Sequence, residues 1–290
     1  FELRFGVGAT MASLHDVMIT LGIYAFMGYE FNLTTIAAFL TLVGYSFNNS
    51  RLVTVWDAAN SPTLKWYVAL FRNQQIIDAA LLSVRVAVMT ACGAVVIGTL
   101  AGLVLARFGR FRGRTLLSMM TTAPLVMPEI ITGLSMLLLF VALQQASDAL
   151  FGGSFNRGVT TLTIAHITFS ISYVTVIVRS RFASFDDSIE EAALDLGARP
   201  ARVFWRVTLP LILPAIVSGW LLAFTLSWDD VVISQFVSGP GSSTLPMVIF
   251  SKVRLGVSPD INALATILVA IVAVGVAVAG VMMSRQQKQK

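Results

Sequence analysis

The fold class this sequence predicts is all-α: a polytopic bundle of transmembrane helices. Three observations carry it. Apolar residues make up 56% of the chain before glycine is counted, where soluble domains reach roughly 45–50% with glycine included. Charged residues make up only 12%, about half the usual share of ~25%, and the mean hydropathy is +0.81. The apolar residues also fall in runs close to the length, about twenty residues, that a helix needs to cross roughly 30 Å of hydrocarbon. The same composition excludes a disordered chain, a disulfide scaffold and a water-soluble enzyme.

Taken in order, the expected spans are Phe5–Met27, Ala79–Ala106, Thr115–Leu143, Thr160–Val178, Leu211–Phe236 and Ile261–Met283. A further run, Leu33–Phe47, covers about 22 Å as a helix and is marginal for a full crossing. No cleavable signal peptide is expected, because the first apolar run lacks a strongly basic start and a small-residue cleavage pattern. A single cysteine, Cys92, and two distant histidines, His15 and His166, offer no disulfide and a poor ligand set for a metal.

Charge orients the spans. The net charge is +5 and the pI is 9.7, yet the basic residues sit between apolar runs, so they read as topology and not as a nucleic-acid surface. Arg107, Arg110, Arg112 and Arg114 crowd one loop. Arg179, Arg181, Arg199, Arg202 and Arg206 occupy another, and Arg285, Lys288 and Lys290 the tail. The positive-inside rule puts these three regions, and with them the C-terminus, in the cytoplasm. The long loop from Asn48 to Asp78 is then extracytoplasmic. Its Trp56, Trp66, Tyr67 and Phe71 suit either a segment lying in the membrane interface or a cap over a transport pathway.

The cytoplasmic loop 179–210 is too long for a simple turn and reads as two helices. Asp186, Asp187 and Ser188 are N-cap candidates, and the acidic first turn suits the helix dipole. Ile189, Ala192, Ala193 and Leu196 recur at i, i+3, i+4 and i+7, which makes one apolar stripe. Gly197 is a natural stop. Pro200 suits the first turn of a second helix, which carries Arg202 and Arg206 at i, i+4. The small residues Ala192, Ala193 and Gly197 permit close approach of another surface. On pattern alone, an amphipathic elbow resting on the bilayer fits equally well.

The wording of this loop is more specific than its pattern. Glu191-Ala-Ala-Leu-Asp-Leu-Gly197, followed by Phe204 and Leu209-Pro210, resembles the EAA motif of ABC importer permeases. Ala123-Pro-Leu-Val-Met-Pro-Glu-Ile-Ile-Thr-Gly133, Leu222-Ala-Phe-Thr-Leu-Ser-Trp-Asp-Asp230, Phe236-Val-Ser-Gly-Pro-Gly241 and Thr244-Leu-Pro-Met247 resemble the spermidine/putrescine branch of that family. The resemblance implies a type I importer permease fold over residues 46–290, with about five permease spans and one or two more before them. It implies coupling to an ATPase through Glu190, Glu191, Ala192, Ala193, Asp195 and Gly197. The implied partners are a cytoplasmic ABC ATPase, a second permease subunit and a periplasmic polyamine-binding protein, in the bacterial inner membrane. The implied function is import of putrescine or spermidine by alternating access, with no covalent chemistry. No cofactor is expected on the chain itself. It has no G-x-x-x-x-G-K-[ST] run to cradle phosphates, so ATP is used by the partner ATPase.

Residues 1–45 read differently. Phe1-Glu-Leu-Arg-Phe5, Leu14-His-Asp-Val-Met-Ile-Thr-Leu-Gly22 and Leu42-Val-Gly-Tyr-Ser46 resemble a SecF-type subunit of the protein-export machinery. The chain therefore reads as joined near Tyr45, with the first segment a remnant that has no function of its own. The export family would return Leu33–Phe47 to the cytoplasm, whereas the permease portion needs Asn48 outside. A second segment that does not fully cross reconciles the two. The alternatives are an accessory of protein export, or a permease for another small solute such as iron, sulfate or a phosphonate.

Ionisable residues inside spans are costly and mark pathways. Asp229 and Asp230 lie deep in the Leu211–Phe236 run, and Glu129 follows Pro128. Carboxylates suit the ammonium groups of a polyamine, so these three are candidate stations along a pathway. Trp228, where the family pattern has an aliphatic residue, would narrow a passage it faced. The plainer reading is that the aspartates cap a broken helix or pair with a basic group of a partner subunit. Pro124 and Pro128 kink or break a helix, which frees backbone carbonyls to line a cavity, and a simple packing kink fits them equally well.

Overall fold

The computed structural model describes residues 33–50, 56–152, 155–255 and 258–287. The predicted span Phe5–Met27 lies outside them, as does all of the export-like stretch before Leu33. Residues 80–247 form one compact unit, and residues 33–79 with 248–287 form another. All regular structure among the described residues is helical.

The 80–247 unit carries most of the bundle. Helix α3 (Gln74–Arg107) has 34 residues, about 51 Å at 1.5 Å per residue, more than a bilayer core requires. Helix α6 (Val159–Ala183) is the central one, buried along more than half of its apolar length. It packs on α3 at close range. A Cβ placed on Gly98 would stand 2.7 Å from the Cβ of Val174, and one on Gly102 3.1 Å from Val178 Cγ1. The run Gly98-Thr-Leu-Ala-Gly102 is thus a small-xxx-small seam that lets two backbones approach inside lipid. The sequence analysis did not single it out. Two apolar clusters line α6, one around Leu162, Phe169 and Ile233, the other around Val174, Val178 and Ile212.

Two predicted spans prove to be discontinuous. The run Thr115–Leu143 is split into α4 (Arg114–Val126) and α5 (Glu129–Phe151). Met127 between them is extended, at φ −77° and ψ 136°, because the ring of Pro128 drives the preceding residue out of the helical region. The run Leu211–Phe236 is split into α9 (Leu209–Trp228) and the short α10 (Val232–Val237). Four stretches among the described residues are long and apolar enough to cross a membrane: Gln74–Arg107, Glu129–Leu150, Val159–Ala183 and Pro200–Trp228.

Between α6 and α9 run α7 (Ser188–Asp195), α8 (Pro200–Val203) and a π-helical turn, Phe204–Thr208. The expected second cytoplasmic helix therefore widens and passes straight into the span. Pro210 has no N–H for the carbonyl of Arg206, and the N–H of Leu209 reaches back five residues to Phe204. The guanidinium of Arg181 ties α6 to α9 by donating to the Leu211 carbonyl at 3.0 and 3.2 Å.

In the other unit, α1 (Leu33–Ser46) has 14 residues, too short to cross the hydrocarbon unaided. Asn48 organises the loop that follows. Its side-chain oxygen accepts from the N–H groups of Ser50 and Asp57 and from the Ser61 hydroxyl, and its carbonyl accepts from the Trp66 indole at 2.6 Å. Helix α2 (Lys65–Arg72) leaves Leu64, Val68 and Phe71 exposed along one side, the pattern of a segment in the membrane interface. Helix α11 (Leu245–Leu255) is followed by α12 (Pro259–Gln287), which holds the predicted span Ile261–Met283 and packs on α1 and α2. Lys252 bridges to Asp260 at 2.9 Å.

Candidate functional site

Two places in the 80–247 unit bring functional candidates together. The first is the loop 179–210. Helix α7 ends in a Schellman motif: the Gly197 N–H donates to the Leu194 carbonyl at 2.8 Å and the Ala198 N–H to the Ala193 carbonyl at 3.2 Å. The motif needs a left-handed residue, and Gly197 has φ +83°. At the other end, Asp187 stands at the N-cap position but makes no capping bond. Its carboxylate pairs with Arg107 instead. Asp186 closes the turn, accepting from the Ser188 N–H at 3.0 Å. The Ser188 hydroxyl and N–H hold the Asp186 carboxyl below its ordinary value of 3.8.

The six coupling candidates divide by direction. Glu190 faces inward, its Oε1 accepting from the Thr208 hydroxyl and its Oε2 lying 3.2 Å from Arg107 Nη2. Glu191, Ala192, Asp195 and Gly197 are exposed, and Ala193 is half-exposed. The predicted apolar stripe is uncovered: Ile189 is 44% exposed and Leu196 89%. Exposed apolar side chains on this loop suit a surface covered by another molecule or by the bilayer.

The second place is where α9 breaks. Asp230 turns its carboxylate onto α10, accepting from the Ile233 N–H at 3.2 Å and the Ser234 N–H at 2.7 Å. The same carboxylate lies 3.3 Å from Nε2 of the buried His166. His166 Nδ1 is 2.7 Å from the Ser227 hydroxyl, and its Nε2 is 3.2 Å from that of Ser234. Asp230 therefore acts as the N-terminal anchor of α10, and α9 stops because its ladder is replaced there by a side chain. Asp229 is exposed. Glu129 opens α5 after the Pro128 break, and α5 packs against α10 with Gly133 beside Phe236. Trp228 stacks on Phe224 at 6.1 Å and Phe224 on Trp220 at 5.5 Å, so a ladder of rings runs along α9 to the break. The four pathway candidates thus gather where two helices are interrupted. Arg107, Thr208 and His166 were not among the candidates. Arg107 read as a topology signal only, and nothing local in the sequence links it to a carboxylate eighty positions away.

A helical bundle with interrupted membrane spans and an exposed helical knob in its 179–210 loop points to the class of membrane transport subunits. The comparisons with known proteins agree. The model of the family described as binding-protein-dependent transport system inner membrane component matches residues 94–289. A second family model, protein export membrane protein SecD/SecF, C-terminal, matches residues 1–108. The chain is 53% identical over 254 residues to the putrescine transport system permease protein PotI of Escherichia coli K12, covering 88% of each chain. It is 42% identical over 230 residues to the spermidine/putrescine transport system permease protein PotC of Haemophilus influenzae, covering 79% of this chain and 84% of that one. A crystal structure of a bacterial ABC transporter that imports the acidic polysaccharide alginate matches with a TM-score of 0.64 at 16% identity, over 93% of this chain and 97% of that one; it shares the fold. This chain belongs to the binding-protein-dependent transport system inner membrane component family. It is a multi-pass inner-membrane permease subunit of an ABC importer.

Proposed function

We propose that the chain translocates polyamine, putrescine or spermidine, across the bacterial inner membrane by alternating access. The observation that carries this reading is the 53% identity to a putrescine permease across 88% of both chains. A second permease subunit completes the pore, a periplasmic polyamine-binding protein delivers the solute, and a cytoplasmic ABC ATPase supplies the energy. The chain binds no cofactor and carries out no covalent chemistry. The exposed face of α7, with Glu191, Ala192, Ala193, Asp195 and Gly197, docks the ATPase, and the C-terminus is cytoplasmic. At the helix breaks, Asp229 and Glu129 offer carboxylates to the ammonium groups. Trp228 narrows the passage beside them, while Asp230 holds the break open.

The test is affinity purification of the tagged chain from membranes in mild detergent, with co-purifying proteins identified, followed by uptake of labelled putrescine into proteoliposomes holding the recovered complex. Recovery of an ABC ATPase with ATP-dependent putrescine uptake is the expected result. The match of residues 1–108 to the export family favours a second reading, an accessory of protein export. Recovery of export subunits without an ATPase would establish that one instead.

A further inference from the structure

Arg107 is the last residue of α3, yet its guanidinium is spent on the coupling loop. It pairs with Asp187, lies 3.2 Å from Glu190, and sits over the rings of Phe185 at 5.0 Å and Phe182 at 5.5 Å. Glu190 in turn accepts from Thr208 in the π turn that leads into α9. One charged group therefore joins the end of α3, the end of α6, the start of α7 and, through Glu190, the start of α9.

We infer that Arg107 is a positioning residue, a latch that makes the α7 knob and the spans α3 and α9 move as one body. The inference rests on the coupling role proposed for α7. Apart from this end, the helix presents an uncovered face: Glu191, Ala192, Leu194 and Asp195 are exposed. A push delivered to that face reaches the pore along the chain on either side of α7 and through what α7 holds on to, and its one charge-assisted attachment among the described residues is Glu190 with its neighbour Asp187. The Arg107–Glu190 pair is only partly exposed, at 23% and 22%, so water and salt screen it less than a surface pair, whereas Asp187 is 64% exposed and its pairing is the weaker of the two. The two flanking rings add cation–π attraction and keep the planar fork between the two carboxylates, Nη1 hydrogen-bonded to Asp187 and Nη2 held near Glu190 by charge alone. A lysine has no such fork.

The test uses the whole importer, reconstituted with its ATPase and partner permease, and reads uptake and ATP hydrolysis separately. Arg107→Ala is expected to retain the ATPase on purification and to lower solute imported per ATP at least tenfold. Arg107→Lys is expected to recover only part of that ratio. Arg107→Glu combined with Glu190→Arg is expected to import better than either single variant. A wild-type ratio in Arg107→Ala, or a double variant no better than the singles, overturns the latch. Glu191→Lys, on the free face, separates this from the reading beneath it. If Glu191→Lys abolishes uptake while Arg107→Ala does not, the coupling role stands and the latch falls. If neither changes uptake, the coupling role falls and takes the latch with it.

Discussion

Replacing Gly197 asks how much of the α7 knob depends on one backbone angle. The residue has φ +83°, and a Cβ built on it meets nothing within 4 Å. An alanine there suffers no collision, so its cost is conformational alone, about 1–2 kcal/mol for a left-handed L residue. That is a factor of about 5–30 in the population of the capped helix end. Proline is a different perturbation. Its ring holds φ near −65°, which the Schellman motif cannot accept, and it removes the N–H that donates to Leu194 at 2.8 Å. Gly197→Ala is therefore expected to weaken ATPase retention and uptake by about that factor of 5–30 or less. Gly197→Pro is expected to abolish coupled uptake while the chain still inserts in the membrane. The assay is uptake by the reconstituted complex beside hydrogen exchange at the α7 amides. Faster exchange at Ala193–Ala198 should accompany the loss. Full uptake by Gly197→Pro would refute the docking role of α7. Loss of uptake with unchanged exchange would refute the backbone argument.

Three further outcomes are expected. Gly98→Leu forces a branched side chain against Val174, where even a Cβ stands at 2.7 Å; overpacking of this kind costs about 1–3 kcal/mol, and a lower melting temperature of the detergent-solubilised chain is the readout. Asp229→Asn should cut putrescine flux more than ATPase activity and leave the melting temperature alone, whereas Asp230→Ala should lower it, because the lost anchor of α10 is worth about 1–2 kcal/mol. Equal flux in wild type and Asp229→Asn counts against the pathway role. The side chains of Asn60 and Asn49 hold the Asp57 carboxyl below its ordinary 3.8. Its contribution to loop order is complete above 3.8 and is lost as pH falls through the lowered value, so cleavage of residues 56–64 by an acid protease should rise in that window, and Asp57→Asn should remove the rise.

Membrane spans are readable because lipid forces every backbone group into a local helix and every side chain into one hydropathy class. That constraint alone located α3, α6 and the apolar stretches around α5, α9 and α12. The loop 179–210 was readable for a second local reason: caps, stripe and glycine stop lie within fourteen residues. The helix breaks were half readable. Pro124 and Pro128 announced an interruption, and Asp229 with Asp230 offered the caps of a broken helix, but neither fixed the residue at which its run stops. Hydropathy averages over a break of two or three residues, so both runs read as continuous.

What the sequence determined by itself is the class of molecule, its spans, and a capped knob with an apolar face, all set by neighbours in the chain. Only the tertiary structure decided which of two adjacent residues does what. Asp230 is taken up by His166 and the amides of α10, leaving Asp229 exposed; Glu190 is taken up by Arg107 and Thr208, leaving Glu191 exposed. Each pair is chemically near-equivalent, and a helix turns 100° per residue. Which member faces inward is therefore settled by partners tens of positions away, through contacts that no local pattern encodes.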